Sequence, residues 1–182
     1  GTDLWKVDRL NSLCRRVCQT RPPFPEVDEE LLSITRQEGY PPLLQMAGFA
    51  LTAAFFALLF GGTLRDALCS LAAGVSIFLV KGPMERRRTN SFFVNAVSSM
   101  TAALVAIAQV ILGLGQNLDL IIIGAFMGLV PGVALTNFMR DVLAGDLFAG
   151  ITKLTESLLT ATALALGAGI ALSLARYFGG VV

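Results

Sequence analysis

Histidine is absent from all 182 residues, only 15% of residues are charged, and cysteine occurs three times, at Cys14, Cys18 and Cys69. Each shortage excludes something. Without histidine the commonest zinc ligand is gone, and three thiols outside any paired motif do not replace it, so no metal and no other cofactor is expected. Charge near balance, at +1, with no long basic run, excludes a nucleic acid as partner. A soluble domain typically carries about 25% charged residues. Here 54% of residues are hydrophobic and the mean hydropathy is +0.69, which calls for lipid as solvent. The implied partner is the bilayer. The chain also lacks an initiating methionine and a charged-then-apolar leader, which reads as a start inside a longer product.

What is present divides at about residue 42. Residues 1–42 look like a short helical cytoplasmic region, with Leu4, Val7, Leu10, Leu13, Cys14 and Val17 at helical spacing and Lys6, Asp8, Arg9, Asn11, Ser12, Arg15 and Arg16 opposite. On that reading Cys14 and Cys18, four apart, are reduced thiols on the apolar side. Arg21-Pro22-Pro23-Phe24-Pro25 breaks the helix, and a second is expected from Val27 to about Gln37, opening on Asp28, Glu29 and Glu30 and ended by Gly39 and Pro41-Pro42.

From residue 43 the apolar runs approach the roughly 20 residues needed to cross a hydrocarbon core about 30 Å thick. Residues 43–182 are therefore expected to be an all-α integral membrane bundle of about five transmembrane helices, near 43–60, 63–80, 92–114, 118–138 and 147–175. Short-loop lysines and arginines stay on the cytoplasmic side. Lys81, Arg86, Arg87 and Arg88 follow the second helix, and Arg140 and Lys153 flank the last turn, against only Arg65 and Arg176 opposite. Five crossings then leave the N-terminus in the cytoplasm and the C-terminus outside.

Polar residues inside such a bundle mark either helix-to-helix contacts or a pathway lining. The third helix carries Asn95, Ser98, Ser99 and Gln109 mostly on one face. In the fourth, Gly124, Gly128, Gly132, Thr136 and Arg140 recur every four residues, a small-residue face ending in a guanidinium. Pro131-Gly132 interrupts it, since proline cannot donate to the carbonyl of Met127. Such a break is either a simple kink or a place where exposed backbone groups meet a substrate. Beyond it come Asn137, Asp141, Asp146, Lys153 and Glu156. Arg140 has the planar fork that clamps a carboxylate, Lys153 and Glu156 are spaced to pair, and Glu156 lies about two turns into the fifth helix, where desolvation would suit a proton carrier. The alternative is an interfacial cluster that snorkels to water and fixes topology.

Gly128-Leu129-Val130-Pro131-Gly132-Val133-Ala134-Leu135-Thr136-Asn137, followed by Arg140-Asp141 and Gly145-Asp146, closely resembles the threonine/serine exporter (ThrE) family. Phe60-Gly61-Gly62, Ile121-Ile122-Ile123-Gly124 and the stretch around Glu156 support the resemblance, which runs over nearly the whole chain. It implies export of threonine and serine, or of dicarboxylates such as succinate, driven by an ion gradient across the bacterial inner membrane. Because fused members continue into a second membrane domain, the chain looks like the larger, YjjP-type subunit of the split form, with a smaller membrane subunit as partner. The resulting assignment places substrate contacts at Pro131, Gly132, Thr136, Asn137, Arg140, Asn95 and Ser99, and proton or ion coupling at Asp141, Asp146, Glu156 and Lys153. The competing reading is a non-transporting membrane scaffold. An intramembrane enzyme is not expected, because no serine or cysteine lies beside an evident base.

Overall fold

The computed structural model describes residues 4–36 and 40–179, and every regular element among them is an α-helix. The chain forms two compact units, Gly1–Pro41 and Pro42–Val182.

In the first unit α1 (Leu4–Thr20) and α2 (Phe24–Arg36) pair antiparallel. Lys6 near the start of α1 donates to the Thr35 carbonyl near the end of α2 at 3.1 Å, and Arg16 near the end of α1 pairs with Glu26 and Glu30. Proline decides where α2 begins. Pro25 falls in its first turn, where a missing amide leaves no bond unmade, so the helix starts at Phe24, ahead of the expected Val27. Leu13 and Ile34 are buried, but Val7, Leu10, Cys14 and Cys18 stay exposed. The two thiols are thus not on a covered apolar side, because the shorter α2 covers only part of the α1 stripe. Gln37 and Gly39, expected at the end of α2, lie outside the described residues.

The second unit contains α3 (Pro42–Leu59), α4 (Leu64–Arg86), α5 (Ser91–Ile111), α6 (Leu118–Phe126), α7 (Gly132–Leu143) and α8 (Leu147–Gly179). Four of them, α3, α4, α5 and α8, are long and apolar enough to cross a membrane. At 1.5 Å per residue α3 and α5 are about 27 and 32 Å long, close to the hydrocarbon thickness. Only 17% of α3 is buried. Leu51, Phe55 and Leu59 point outward with Leu79, Phe93 and Ile170, a surface stable only against lipid or another membrane segment. Inside, small residues allow close approach: a Cβ on Gly124 of α6 would lie 2.7 Å from both the Ala53 carbonyl oxygen and Ser70 Oγ. Ser70 Oγ itself sits 2.9 Å from the Ala53 oxygen and 3.2 Å from that of Ile121, so one hydroxyl bridges α3, α4 and α6. The helix expected to end near Val80 runs on through Pro83 to Arg86. A proline this close to the helix end removes one bond and leaves the last turn intact.

The fourth apolar segment is not one helix over 118–138. α6 stops at Phe126 and α7 starts at Gly132, with Leu129 and Val130 amides turned back on the Phe126 carbonyl at 2.8 and 3.1 Å. The chain leaves the helix before Pro131 rather than bending at it, and Pro131 occupies the N-cap position of α7 (φ −80°, ψ 58°) without a side-chain hydrogen bond to its amides. At nine residues, α6 is about 13 Å long and cannot cross alone.

Candidate functional site

The expected continuous face from Gly124 to Arg140 is divided by this break. Gly124 packs against α3 and α4, a Cβ on Gly128 would meet the Phe49 ring at 2.9 Å, and Gly132 has open space around it. Beyond the break, α7 has no buried residue. Gly132, Thr136 and Arg140 are exposed on it, whereas Asn137 is half-buried. Pro131 offers no side-chain cap; the Gly132 amide bonds Val130 O at 2.9 Å and the Leu135 amide bonds Pro131 O at 3.1 Å, which leaves the Val133 and Ala134 amides uncapped at the start of α7. That is the positive end of a helix dipole, open to an anion. Thr136 is satisfied within its own helix, its hydroxyl 3.0 Å from the Val133 carbonyl oxygen. From Gly132 to Arg140 the helix rises about 12 Å, so the Arg140 Cα stands about two turns beyond the α7 start.

Around Arg140 the charges are organised. Arg140 Nε lies 3.7 Å from Asp141 Oδ1 and its side chain is 75% exposed, while Asp141 Oδ2 takes the ammonium of Lys153 from α8. Lys153 therefore pairs with Asp141 across the turn rather than with Glu156, which is exposed. Gly145 and Asp146 have a structural role. Gly145 takes φ +88°, its amide bonds Val142 O at 3.1 Å and the Asp146 amide bonds Asp141 O at 2.9 Å, closing α7 in a Schellman turn. Asp146 Oδ1 then accepts from the Ala149 amide at 3.1 Å and caps α8.

Ser99 and Arg140 occupy different places. Ser99 is buried at the α5–α8 contact, where its hydroxyl donates to the Ala96 carbonyl and a Cβ on Gly167 would come within 2.0 Å of it. Lys153, the partner of Asp141, precedes Gly167 by fourteen residues on α8, about 21 Å along the axis. Asn95, half-buried one turn before Ser99 on α5, shares that helix and not α7. The two polar groups predicted as one site are thus separate, Ser99 within a helix contact and Arg140 on an open face.

One buried acid was not singled out from the sequence. Asp66, fully buried in the first turn of α4, forms a capping box with Thr63. It also accepts from the Gln116 and Asn117 amides at 2.7 and 3.0 Å and from Asn117 Nδ2 at 2.9 Å. The Thr63-Leu64-Arg65-Asp66 spacing signals the cap. Nothing local in the sequence signals the partners fifty residues away. These bonds place the α3–α4 and α5–α6 turns at one end of the bundle, so the basic α4–α5 turn is at the other.

A helical bundle with a lipid-facing exterior, four long spans and a fifth segment broken near a charged turn defines a multi-span integral membrane protein. A family model described as "Putative threonine/serine exporter" matches residues 1–175, and the chain belongs to that family. A protein of Corynebacterium glutamicum named "Threonine/serine exporter" is 24% identical over 183 residues, which cover 96% of this chain and 37% of that protein. The chain thus spans little more than a third of the length of this relative. No solved structure matches it.

Proposed function

We propose that the chain is one half of a secondary active exporter of small amino acids or dicarboxylates, threonine and serine or succinate among them, in the bacterial inner membrane. The observation that carries the reading is α7, an amphipathic helix that starts uncapped after a break and buries none of its residues. Its Gly132, Thr136 and Arg140 face is half of a cavity, closed when a second membrane segment covers it. The second half is a smaller membrane subunit or a further stretch of the same polypeptide, in keeping with the greater length of the relative. Two such halves of opposite orientation would place the site at their interface.

Within this half-site the open amides at the α7 start receive the substrate carboxylate beside Pro131 and Gly132. Arg140, about two turns further along α7, attracts the anion as it enters. Asp141 and Lys153 form the pair whose opening is coupled to the driving ion. The N-terminus is cytoplasmic, because Lys81, Arg86, Arg87 and Arg88 mark the end of the bundle at which α3 begins.

The test is flux. Vesicles containing the chain with its membrane partner are loaded with labelled threonine, serine or succinate, and efflux is followed with an imposed ion gradient. Arg140→Ala is expected to insert normally and lose efflux. Normal efflux in that variant overturns the role given to Arg140, and no gradient-driven efflux of any of the three substrates by the unaltered complex overturns the export reading. A scaffold role is favoured by one observation, the commitment of Asp141, Gly145 and Asp146 to the α7–α8 turn. It predicts partner dissociation on breaking that turn, with no flux to lose.

A further inference from the structure

The hairpin of α1 and α2 leaves one apolar surface open. A helix turns about 100° per residue, which sorts its side chains around the line where the two helices meet. Leu13 and Ile34, both buried, mark that line. Arg16 lies about 60° to one side of Leu13 and pairs with Glu26 and Glu30, which lie about 40–80° to one side of Ile34. On the other side of Leu13, at about 60–140°, come Leu10, Cys14, Val7 and Cys18, and on the other side of Ile34, at about 60–80°, come Leu31 and Phe24. Because the helices run antiparallel, the ion pairs share one surface of the hairpin and these six residues share the opposite one. All six are exposed, Phe24 at 90%.

What covers this surface follows from where the hairpin is attached. Only residues 37–41 separate the end of α2 at Arg36 from Pro42, where α3 begins as an apolar span. Fully extended, that link reaches about 20 Å. The hairpin is therefore tethered to the bilayer, and docking on the bilayer surface is an intramolecular event that needs little intrinsic affinity. Six side chains are far fewer than the roughly 20–30 residues a side of a specific protein interface, whereas lipid demands apolar area and no matching shape. Residues 4–36 carry six basic and five acidic side chains, so attraction to anionic headgroups is not what holds the hairpin down.

We propose that the α1–α2 hairpin is a membrane-surface module that lies in the plane of the bilayer, with Val7, Leu10, Cys14, Cys18, Phe24 and Leu31 sunk into the lipid interface and the surface of Arg16, Glu26 and Glu30 turned to water. Amphipathic helices of this kind settle about 5–10 Å into the boundary between headgroups and acyl chains. Thr35 and Asp28, about 100–120° from Ile34 on the apolar side, stand at the outer edge of α2, where they reach water. The inference goes beyond the exporter reading and does not rest on it, nor on which face of the membrane is cytoplasmic.

The test uses the full chain in phosphatidylcholine nanodiscs. A nitroxide is attached at Cys14 in a Cys18→Ser, Cys69→Ala background and, with Cys14→Ser added, at Phe24→Cys or at Ser12→Cys. Power-saturation electron paramagnetic resonance then compares collisions with oxygen, which enters lipid, and with a nickel chelate, which stays in water. The oxygen-to-nickel ratio is expected to be high at positions 14 and 24 and low at position 12, which lies on the ion-paired side of Leu13. Val7→Glu with Leu10→Glu should bring the ratio at position 14 down to that at position 12. Both residues are exposed and neither belongs to the Leu13–Ile34 contact, so helix content by circular dichroism should not change.

A ratio at position 14 no higher than at position 12 overturns the proposal, and so does a high ratio that survives Val7→Glu with Leu10→Glu. Shielding of position 14 from both reagents also overturns it, since protein rather than lipid then covers the face; broadening between labels would identify that protein as a second copy of the chain. If the double variant loses helix content, the three label positions on the unaltered face decide alone. The ratio is read without substrate, so loss of efflux removes the exporter reading and leaves this one standing.

Discussion

Asp66→Asn isolates the most connected side chain in the fold. One carboxylate oxygen accepts from the Gln116 and Asn117 amides, and the other from Asn117 Nδ2, the Thr63 amide and the Thr63 hydroxyl, at 2.7–3.0 Å. An asparagine keeps one of those oxygens and replaces the other with an NH2 group that accepts nothing. Whichever way it turns, at least two N–H donors at this end of the bundle lose their acceptor. Leaving a buried donor unsatisfied costs about 1–3 kcal/mol, so the substitution should cost about 2–6 kcal/mol. Thr63→Ala removes only the cap and should cost about 1 kcal/mol. Thermal unfolding of the purified complex by circular dichroism gives the order, and hydrogen exchange gives the place: amides of residues 112–117 should exchange faster in Asp66→Asn and remain protected in Thr63→Ala. Equal stability of the two variants, or unchanged exchange in that turn, would show that Asp66 does not hold the two turns together.

Other substitutions test the packing and the charged turn. Gly167→Ala would place a Cβ 2.0 Å from Ser99 Oγ and 2.2 Å from the Ala96 carbonyl oxygen, whereas Gly169→Ala meets nothing within 4 Å. The first should separate α5 from α8 and destabilise by about 1–3 kcal/mol or more, and the second should stabilise by about 0.5–1 kcal/mol through helix propensity, both read from thermal unfolding. Gly145→Ala forces a side chain into φ +88° and should cost about 1–2 kcal/mol, seen as faster proteolysis between α7 and α8. In a double-mutant cycle of Asp141→Asn and Lys153→Met, the double variant should be more stable than the sum of the singles allows; strict additivity would refute the pairing.

The spans were legible because each is a long apolar run, and membrane crossing depends on length and composition alone. The position of the break was legible from Pro131, but its extent was not. Proline dictates that no amide is donated at 131, whereas the release of residues 127–130 from the helix depends on Gly124 and Gly128 being drawn against α3 and Phe49. The shared face of Gly132, Thr136 and Arg140 follows from helical spacing, yet spacing does not say what covers that face, and among the described residues nothing buries it. Lys153 was expected to pair with Glu156 because local pairs are visible in a sequence; its actual partner lies across a turn whose geometry depends on Gly145. Asp66 shows the same limit from the other direction, a recognisable cap whose larger role comes from partners fifty residues away.

The register of α8 against α5 fixes where the charged turn lies. Gly167 faces Ser99, and α8 begins twenty residues before Gly167, while α5 begins only eight before Ser99. If the two axes stay roughly parallel, α8 extends about 18 Å beyond the start of α5, and Lys153 lies about 9 Å beyond it. Arg140, Asp141 and Lys153 are then at or past the edge of the hydrocarbon on the side of the Arg86–Arg88 turn, where charges are cheap to hydrate and a departing carboxylate or an arriving one meets water. Phe148, 90% exposed near the tip of α8, reports this directly. In a Cys14→Ser, Cys18→Ser background, Phe148→Cys should react with an impermeant maleimide from the same membrane face as Arg87→Cys, and at a comparable rate. Reaction from the opposite face would overturn the five-crossing topology, and protection from both faces would place the turn within lipid or beneath the partner, moving the charge cluster from the entrance of the pathway to its interior.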